Sequence, residues 1–234
     1  MIEKPVMRIF TLIILTILIL TSSCKQLSQR EGYQEGLVEY DVKYLENNMS
    51  KNIPTNLLPG KMILKFKNDK SVILIEGFMG LFSLQLINDH KKQVTTSLLK
   101  VIDKKYKYIG DPGEGSFAFR EIPGMKVELR KGLKEIAGLK CSRGRVIFPG
   151  SDHEPFIFYY TDEIGIRSPN FNNPYSNVEG VLMKFQVKLH KLRMELEAEN
   201  AEKCQISNKD FETPPGFKQV SRKDMEEILS TLME

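Results

Sequence analysis

The fold is most plainly predicted by residues 61–76, KMILKFKNDKSVILIE. Met62, Leu64 and Phe66 recur at every second position, and lysines occupy positions 61, 65 and 67 of the alternate set. Because side chains alternate between the two faces of a strand, this spacing predicts a β-strand with one buried face. Asn68-Asp69 is a pair typical of tight turns, and an apolar run follows it. The stretch therefore predicts an antiparallel hairpin.

Similar patterns extend in both directions from this hairpin. Strands are predicted at residues 38–44, 61–67, 71–76, 82–87, 94–102, 106–109, 126–135, 141–148, 156–161, 181–189, 192–198 and 201–206. Ser221 and Asp224 form a capping box that predicts the start of a C-terminal helix. Strands and helices do not alternate, which excludes a Rossmann-type sheet. We predict a mainly β (α+β) fold, a curved antiparallel sheet or half-barrel with one C-terminal helix.

The first 24 residues carry the pattern of an export signal. Lys4 and Arg8 precede Ile9–Leu20, a segment that is apolar except for two threonines. A bilayer-spanning helix needs about 20 apolar residues, so this shorter segment is typical of a secretory signal. The small residues Thr21, Ser22 and Ser23 lead to Cys24, an arrangement that resembles a bacterial lipobox.

This pattern divides the chain into three parts. We expect a lipoprotein signal peptide at residues 1–23, a polar tether at 24–35 and a single β-rich globular domain at 36–234. Cys24 would carry the lipid that anchors the protein to a membrane. The alternatives are a plain secretory signal with an accidental cysteine, or an anchor that is retained.

Charge and motif content exclude several classes of function. The 34 basic and 30 acidic residues are interspersed along the chain, whereas nucleic-acid binding favours a concentrated basic stripe. Residues 113–118 match G-x-G-x-x-A, but Pro112 and Pro123 flank the match and predict a loop. His90, His153 and His190 lie far apart in the sequence. We predict no catalytic residue, no metal and no cofactor, and therefore not an enzyme.

Two residue sets are candidates for binding or stability. The aromatic set Tyr106, Tyr108, Phe156, Phe158, Tyr159 and Tyr160 predicts either core packing or the lining of an apolar groove. Once Cys24 carries lipid, Cys141 and Cys204 remain, an even count in an oxidising compartment. These two cysteines would form a disulfide if their strands are neighbours, or stay buried as free thiols.

Three segments resemble a known family. They are IAGLKC at 136–141, YYTDEIGI at 159–166 and NPYSNVEGVL at 173–182. In this order they are similar to landmarks of the GLPGLI family of Gram-negative lipoproteins and related lipoprotein domains. The closing segment FETPPGF at 211–217 also resembles the ending of such domains. The resemblance implies a LolA-like fold, a curved antiparallel sheet that can hold acyl chains in its concave face.

The sequence therefore predicts an exported envelope protein, lipid-anchored to a bacterial membrane and most readily to the outer one. The preferred hypothesis is a non-enzymatic binding or scaffold domain with an envelope protein as partner. One alternative is a carrier of a lipid or other hydrophobic ligand in the sheet concavity. Another is an envelope hydrolase whose site is assembled from residues distant in sequence. Nucleic acid is not expected as a partner.

Overall fold

The computed structural model describes residues 32–47, 58–77 and 80–232. Twelve strands form one curved, open sheet in these ranges. The strands are β1 (Glu35–Asn47), β2 (Lys61–Lys67), β3 (Lys70–Gly77), β4 (Phe82–Asp89), β5 (Val94–Val101), β6 (Lys104–Ile109), β7 (Lys126–Ile136), β8 (Leu139–Ile147), β9 (Phe156–Thr161), β10 (Val181–Leu189), β11 (Leu192–Glu202) and β12 (Lys218–Gln219). A short 3-10 helix covers Asn208–Phe211, and the α-helix α1 covers Arg222–Leu232. The predicted mainly β class with a C-terminal helix is confirmed.

The sheet consists of two antiparallel meanders joined at its centre. Its order is β12-β6-β5-β4-β3-β2-β1-β11-β10-β9-β8-β7. Strands β1 to β6 form one meander and β7 to β11 form the other. The pairing of β1 with β11, with Val42 opposite Leu196, connects the two halves. Only β12, the outermost strand beyond β6, pairs in parallel within the described sheet.

The quoted hairpin forms as predicted. Lys67 pairs with Lys70, so Asn68 and Asp69 make a two-residue turn. Asn68 has a φ of 53°, a left-handed conformation that asparagine tolerates better than most residues. Turn chemistry and strand alternation therefore agree on one register.

The main core lies on one face of the sheet, which we call the inner face. Met62, Leu64 and Phe66 are buried there, and Val38 and Tyr40 of β1 lie beside them. The Tyr40 hydroxyl donates a hydrogen bond of 2.8 Å to the carbonyl of Leu182 on β10. Burial of alternate side chains along neighbouring strands makes this face the main source of stability.

The C-terminal segment crosses the opposite, outer face before α1 returns to the inner face. Ile206 and Phe211 pack against Val72, Ile87 and Leu98, which form a second, smaller core. The chain then pairs with β6 through β12 and enters α1. The Asp224 carboxylate accepts hydrogen bonds from the Ser221 hydroxyl (2.7 Å) and backbone N–H (3.1 Å), as the predicted capping box requires. Met225 and Leu229 of α1 are buried in the main core.

One predicted strand does not form, and ordered backbone contacts begin slightly before the predicted start of the domain. A separate strand at 201–206 does not form, because β11 continues through Ala201 to Glu202 and the chain then leaves the sheet. The fold also begins before the predicted tether ends. The N–H of Tyr33 donates to the carbonyl of Glu163 (2.7 Å), and the N–H of Gly165 donates to the carbonyl of Tyr33 (2.9 Å). The predicted signal peptide and Cys24 lie outside the described residues.

Of the two alternatives for Cys141 and Cys204, the structure has the free thiols and not the disulfide. Strands β9 and β10 lie between β8, which carries Cys141, and β11, which precedes Cys204. Three inter-strand steps amount to about 14 Å, well beyond the Cα separation of about 4.4–6.8 Å that a bridge requires. Cys141 packs in the main core and Cys204 against the smaller one.

None of the helices in the described ranges is long and apolar enough to cross a bilayer.

Candidate functional site

The six predicted aromatic side chains do not form one groove. Tyr106 and Tyr108 lie on β6, whereas the other four lie on β9, and seven strands separate β6 from β9 in the sheet. Phe158 is fully buried in the main core, where its ring packs 5.1 Å from that of Tyr175. Tyr159 lies beneath the Lys134 ammonium, 5.4 Å from the ring centroid. On β9 the aromatic set therefore serves packing.

Tyr106 does line a groove, which runs between α1 and the edge strands β6 and β12. We call it the α1 groove. It has a volume of about 850 Å³ and is open to solvent. Val101, Lys104, Tyr106, Lys218, Gln219, Val220, Ser221, Asp224, Glu227, Ile228, Thr231 and Leu232 line it. Ligand sites commonly have volumes of about 300–1,000 Å³, so this groove is large enough for a drug-sized or acyl-chain ligand.

The α1 groove is amphipathic. Its apolar lining comes from Val101, Tyr106 and Val220 on the sheet side and from Ile228 and Leu232 on the helix. The charged residues divide by side. Lys104 and Lys218 lie on the strands, whereas Asp224 and Glu227 lie on α1. Such a groove suits a ligand with an apolar body and a charged end.

Hydrogen bonds and ion pairs hold α1 beside the sheet edge. The guanidinium of Arg222 is paired with Glu114 and donates a 2.9 Å hydrogen bond to the carbonyl of Gly115. Arg120 forms an ion pair of 3.0 Å with Glu226. The Val220 N–H donates to the carbonyl of Lys107 (2.9 Å), which fixes the strand that leads into the helix. These contacts define the position of one wall of the groove.

Glu114 lies at the centre of this anchoring. Its carboxylate accepts hydrogen bonds from the Tyr108 hydroxyl (2.6 Å) and from the N–H of Asp111 (2.8 Å). Burial alone would raise the pKa of Glu114, but the hydrogen bonds from Tyr108 and Arg222 outweigh it and hold the pKa below its usual value. Burial, together with the hydrogen bond to Glu114, raises the pKa of Tyr108 to about 12. At neutral pH the phenol is therefore a donor and the carboxylate is charged.

A small apolar crevice adjoins the α1 groove beneath the end of the helix. Leu232 lines both, and Val42, Tyr44, Phe82 and Leu189 line the crevice from the sheet. Its volume is about 20 Å³, room for a single water molecule. In this conformation the inner face beneath α1 is filled by side chains, and the open space lies outside it, in the groove.

A second cavity, of about 50 Å³, lies on the inner face under the loop between β9 and β10. Ser71 and His90, both buried, border it, with the Ser71 hydroxyl 2.7 Å from His90 Nε2. The amide of Asn172 in the loop donates to Asn88 Oδ1 (3.0 Å) and to the Thr95 hydroxyl (2.7 Å). We call these five residues the polar network. They tie the loop to β3, β4 and β5.

The polar network is built for structure. Burial lowers the pKa of His90 to about 4, so its imidazole is neutral at pH 7. His90 Nδ1 lies 3.4 Å from the carbonyl of Ser168, and its ring packs edge-on to Phe171 at 5.5 Å. In a Ser-His-Asp triad the Nδ1 of the histidine is hydrogen-bonded to a carboxylate. In His90 the neighbour of Nδ1 is instead a backbone carbonyl. The sequence feature that could have indicated this network is the asparagine-rich loop that contains Asn172. The partners of Asn172, Thr95 and Asn88, lie 77 and 84 positions away in the sequence.

In the part of the chain that the structure describes, no three His, Cys, Asp or Glu side chains converge as metal ligands would. Asp152, His153 and Glu154 are all exposed, and they follow the turn after β8. The neighbouring carboxylates Asp162 and Glu163 have different surroundings. Asp162 is exposed, whereas Glu163 accepts a hydrogen bond of 3.2 Å from the N–H of Lys140. Residues 113–118 lie outside the helices and strands, as predicted for a loop.

Comparison with known proteins gives a likeness in fold to solved structures. No family model matches the chain, and no curated protein matches it. Among solved structures, that of PNGF-II aligns with a TM-score of 0.53 at 10% sequence identity. The alignment covers 84% of this chain but only 33% of the PNGF-II chain, so this chain spans about a third of that protein's length. At this identity the likeness concerns the fold alone, which the two proteins share over most of the chain described here.

Proposed function

We propose that this chain is a membrane-anchored, non-enzymatic binding domain of the bacterial envelope that holds an amphipathic, lipid-like ligand in the α1 groove. The observation that carries the proposal is the groove itself, open to solvent and about 850 Å³ in volume. The chemistry of its walls supports a ligand with one apolar and one charged part. The export and lipobox pattern ending at Cys24 supports the anchored location.

The apolar side chains of the groove define where the ligand's body would lie. Ile228 is half-buried and lines the groove together with Tyr106 and Val220. An acyl chain gains about 0.8 kcal/mol for each CH₂ group that it buries, so about ten buried groups correspond to the roughly 8 kcal/mol of micromolar binding, before the cost of association. Lys104 and Lys218 on the strand side favour an anionic end group. The small crevice beneath Leu232 would need α1 to shift before it admitted part of the ligand.

A fluorescent fatty acid analogue and its displacement by unlabelled fatty acid test this proposal in the full-length protein. Ile228→Asp places a carboxylate in the apolar lining and is expected to weaken binding by at least about tenfold, since about 1.4 kcal/mol corresponds to a factor of ten. Ile109→Asp is the matched control, because Ile109 is an exposed isoleucine of β6 that does not line the groove.

The contrast between these two variants decides the outcome. Equal binding by Ile228→Asp and Ile109→Asp would show that the fatty acid binds elsewhere, for example to the apolar N-terminal segment. In that case the scaffold function, with an envelope protein as partner, becomes the better hypothesis. Native mass spectrometry of gently purified protein would identify a ligand that co-purifies and is lost in Ile228→Asp.

A further inference from the structure

Two large apolar side chains are exposed at one end of the sheet, at the mouth of the α1 groove. Leu81 precedes β4 and is 53% exposed, and Ile102 in the turn between β5 and β6 is 62% exposed. They are adjacent in space, because the N–H of Ile102 donates a 2.6 Å hydrogen bond to the carbonyl of Leu81. We call this pair, with its flanking lysines, the β5–β6 tip.

Ile102 occupies a backbone conformation that its side chain disfavours. Its φ is 58°, in the left-handed region where β-branched residues are outliers and Asn or Gly is usual. Asn68, Gln93, Ala137, Ser168 and His190 are the other described non-glycine residues with positive φ, and none of them is β-branched. The left-handed backbone at Ile102 costs free energy of folding, and its exposed side chain gains little burial to offset that cost. Such outliers concentrate at functional sites, where another interaction compensates for the strain.

The charge around the tip is basic. Lys100 donates a 3.2 Å hydrogen bond to the carbonyl of Gly80, and Lys104 and Lys105 are exposed at the start of β6. Asp103 is the acidic residue of the same turn, so the segment from Lys100 to Lys105 has three positive charges and one negative charge. Lysines beside exposed aliphatic side chains suit an anionic lipid surface, because their long stems reach the headgroups while the apolar groups enter the interface.

The tip is continuous with the groove. Val101 and Lys104, the two residues that flank the Ile102-Asp103 turn, both line the α1 groove. We propose that the β5–β6 tip docks on an anionic lipid bilayer, with Leu81 and Ile102 inserted in the interface. Docking at this point brings the groove mouth to the lipid surface. The functional reason for docking rests on the proposed lipid-like ligand. The docking itself does not require that the groove be occupied.

The absence of tryptophan from the sequence permits a local test. Leu81→Trp in the full-length protein places a single tryptophan at the tip. Leu133→Trp is the matched control, since Leu133 is 80% exposed on β7 at the far edge of the sheet. With phosphatidylglycerol vesicles, we expect the emission of Leu81→Trp to shift to shorter wavelength and to resist aqueous quenchers, whereas Leu133→Trp stays unchanged. Phosphatidylcholine vesicles should produce a much smaller shift at Leu81→Trp.

The proposal would be overturned if the emission of Leu81→Trp did not shift. It would also be overturned if Leu81→Trp and Leu133→Trp shifted equally, because the tip would then contact lipid no more than the far edge of the sheet does. Adding Ile102→Asn to Leu81→Trp separates docking from folding. Asparagine tolerates the positive φ, so thermal stability is expected to rise while the vesicle-induced shift is reduced. A full shift in the double variant would also count against the proposal. Because the tryptophan reports on the tip alone, the fatty acid displacement result does not affect this readout.

Discussion

Mild acid is expected to destabilise the fold through one buried side chain, His90. It is 2% exposed, and burial lowers the pKa of its imidazole from 6.5 to about 4. In the unfolded chain histidine keeps a pKa of about 6.5. Between pH 6.5 and 4 the unfolded state therefore binds a proton that the folded state does not. The free energy of unfolding consequently falls as the pH falls through this window.

The magnitude follows from the difference between the two pKa values. Each pH unit of difference is worth about 1.36 kcal/mol, so His90 alone removes about 3 kcal/mol of stability once the pH is below 4. About 2 kcal/mol of this is lost between pH 6.5 and 4.5. Glu35, Glu114 and Glu197 have lowered pKa values, so their stabilising contributions are present above pH 4.5 and are lost only below it. Most of the loss from these carboxylates therefore falls below the window in which His90 contributes, and the His90→Gln variant separates the two.

Urea denaturation of the wild type and His90→Gln at pH 6.5, 5.5 and 4.5 measures this effect. Glutamine keeps a polar group beside Ser71 but cannot titrate, so the loss of stability across the window is expected to be about 2 kcal/mol smaller in His90→Gln. His153→Gln is the control, since His153 is exposed, and it should keep the wild-type slope. Equal slopes for His90→Gln and the wild type would refute a desolvated imidazole and indicate that water enters the polar network.

Three further predictions concern other parts of the chain. Cys24→Ser is expected to release the protein from membranes or to stall signal processing. Membrane fractionation and intact mass measure this. If the variant fractionates like the wild type and differs in mass only by the substitution, lipidation is contradicted. Gly144→Ala is expected to lower the free energy of unfolding in urea by about 2 kcal/mol, because the added Cβ would lie 2.0 Å from the ring of Phe158. In a double-mutant cycle, Phe158→Leu should recover part of this loss. A cost additive with Phe158→Leu would mean that the two sites do not clash. Glu114→Gln removes the charged partner of Arg222, so hydrogen exchange is expected to accelerate across α1 but not in the β2–β3 hairpin, and uniform acceleration would argue against a local anchor.

Local pattern predicted the strands well, for a reason visible in the β2–β3 hairpin. There the alternation of Met62, Leu64 and Phe66, the Asn68-Asp69 turn and the return strand all act within sixteen residues. The same holds for the capping box at Ser221, whose partner Asp224 is three positions away. Where one face is buried and the turn is short, period and turn chemistry determine both the element and its register.

Strand order could not be predicted, because the decisive pairing is not local. Val42 lies opposite Leu196, a contact across more than 150 positions that leaves no periodic signal in either strand. The alternatives that the sequence left open for the cysteines and for the aromatic set depend on this strand order. The disulfide required β8 and β11 to be neighbours, and the aromatic groove required β6 to approach β9. The sheet places two strands between the first pair and seven between the second.

The α1 groove escaped prediction for a related reason. One wall is a helix that the sequence predicted well, but the other wall includes β12, a two-residue strand too short to carry any alternation. Lys218 and Gln219 reach β6 only because the preceding segment crosses the outer face, held there by Ile206 and Phe211 against the smaller core. The groove therefore forms only because the C-terminal segment crosses the outer face and then pairs with β6 at the sheet edge.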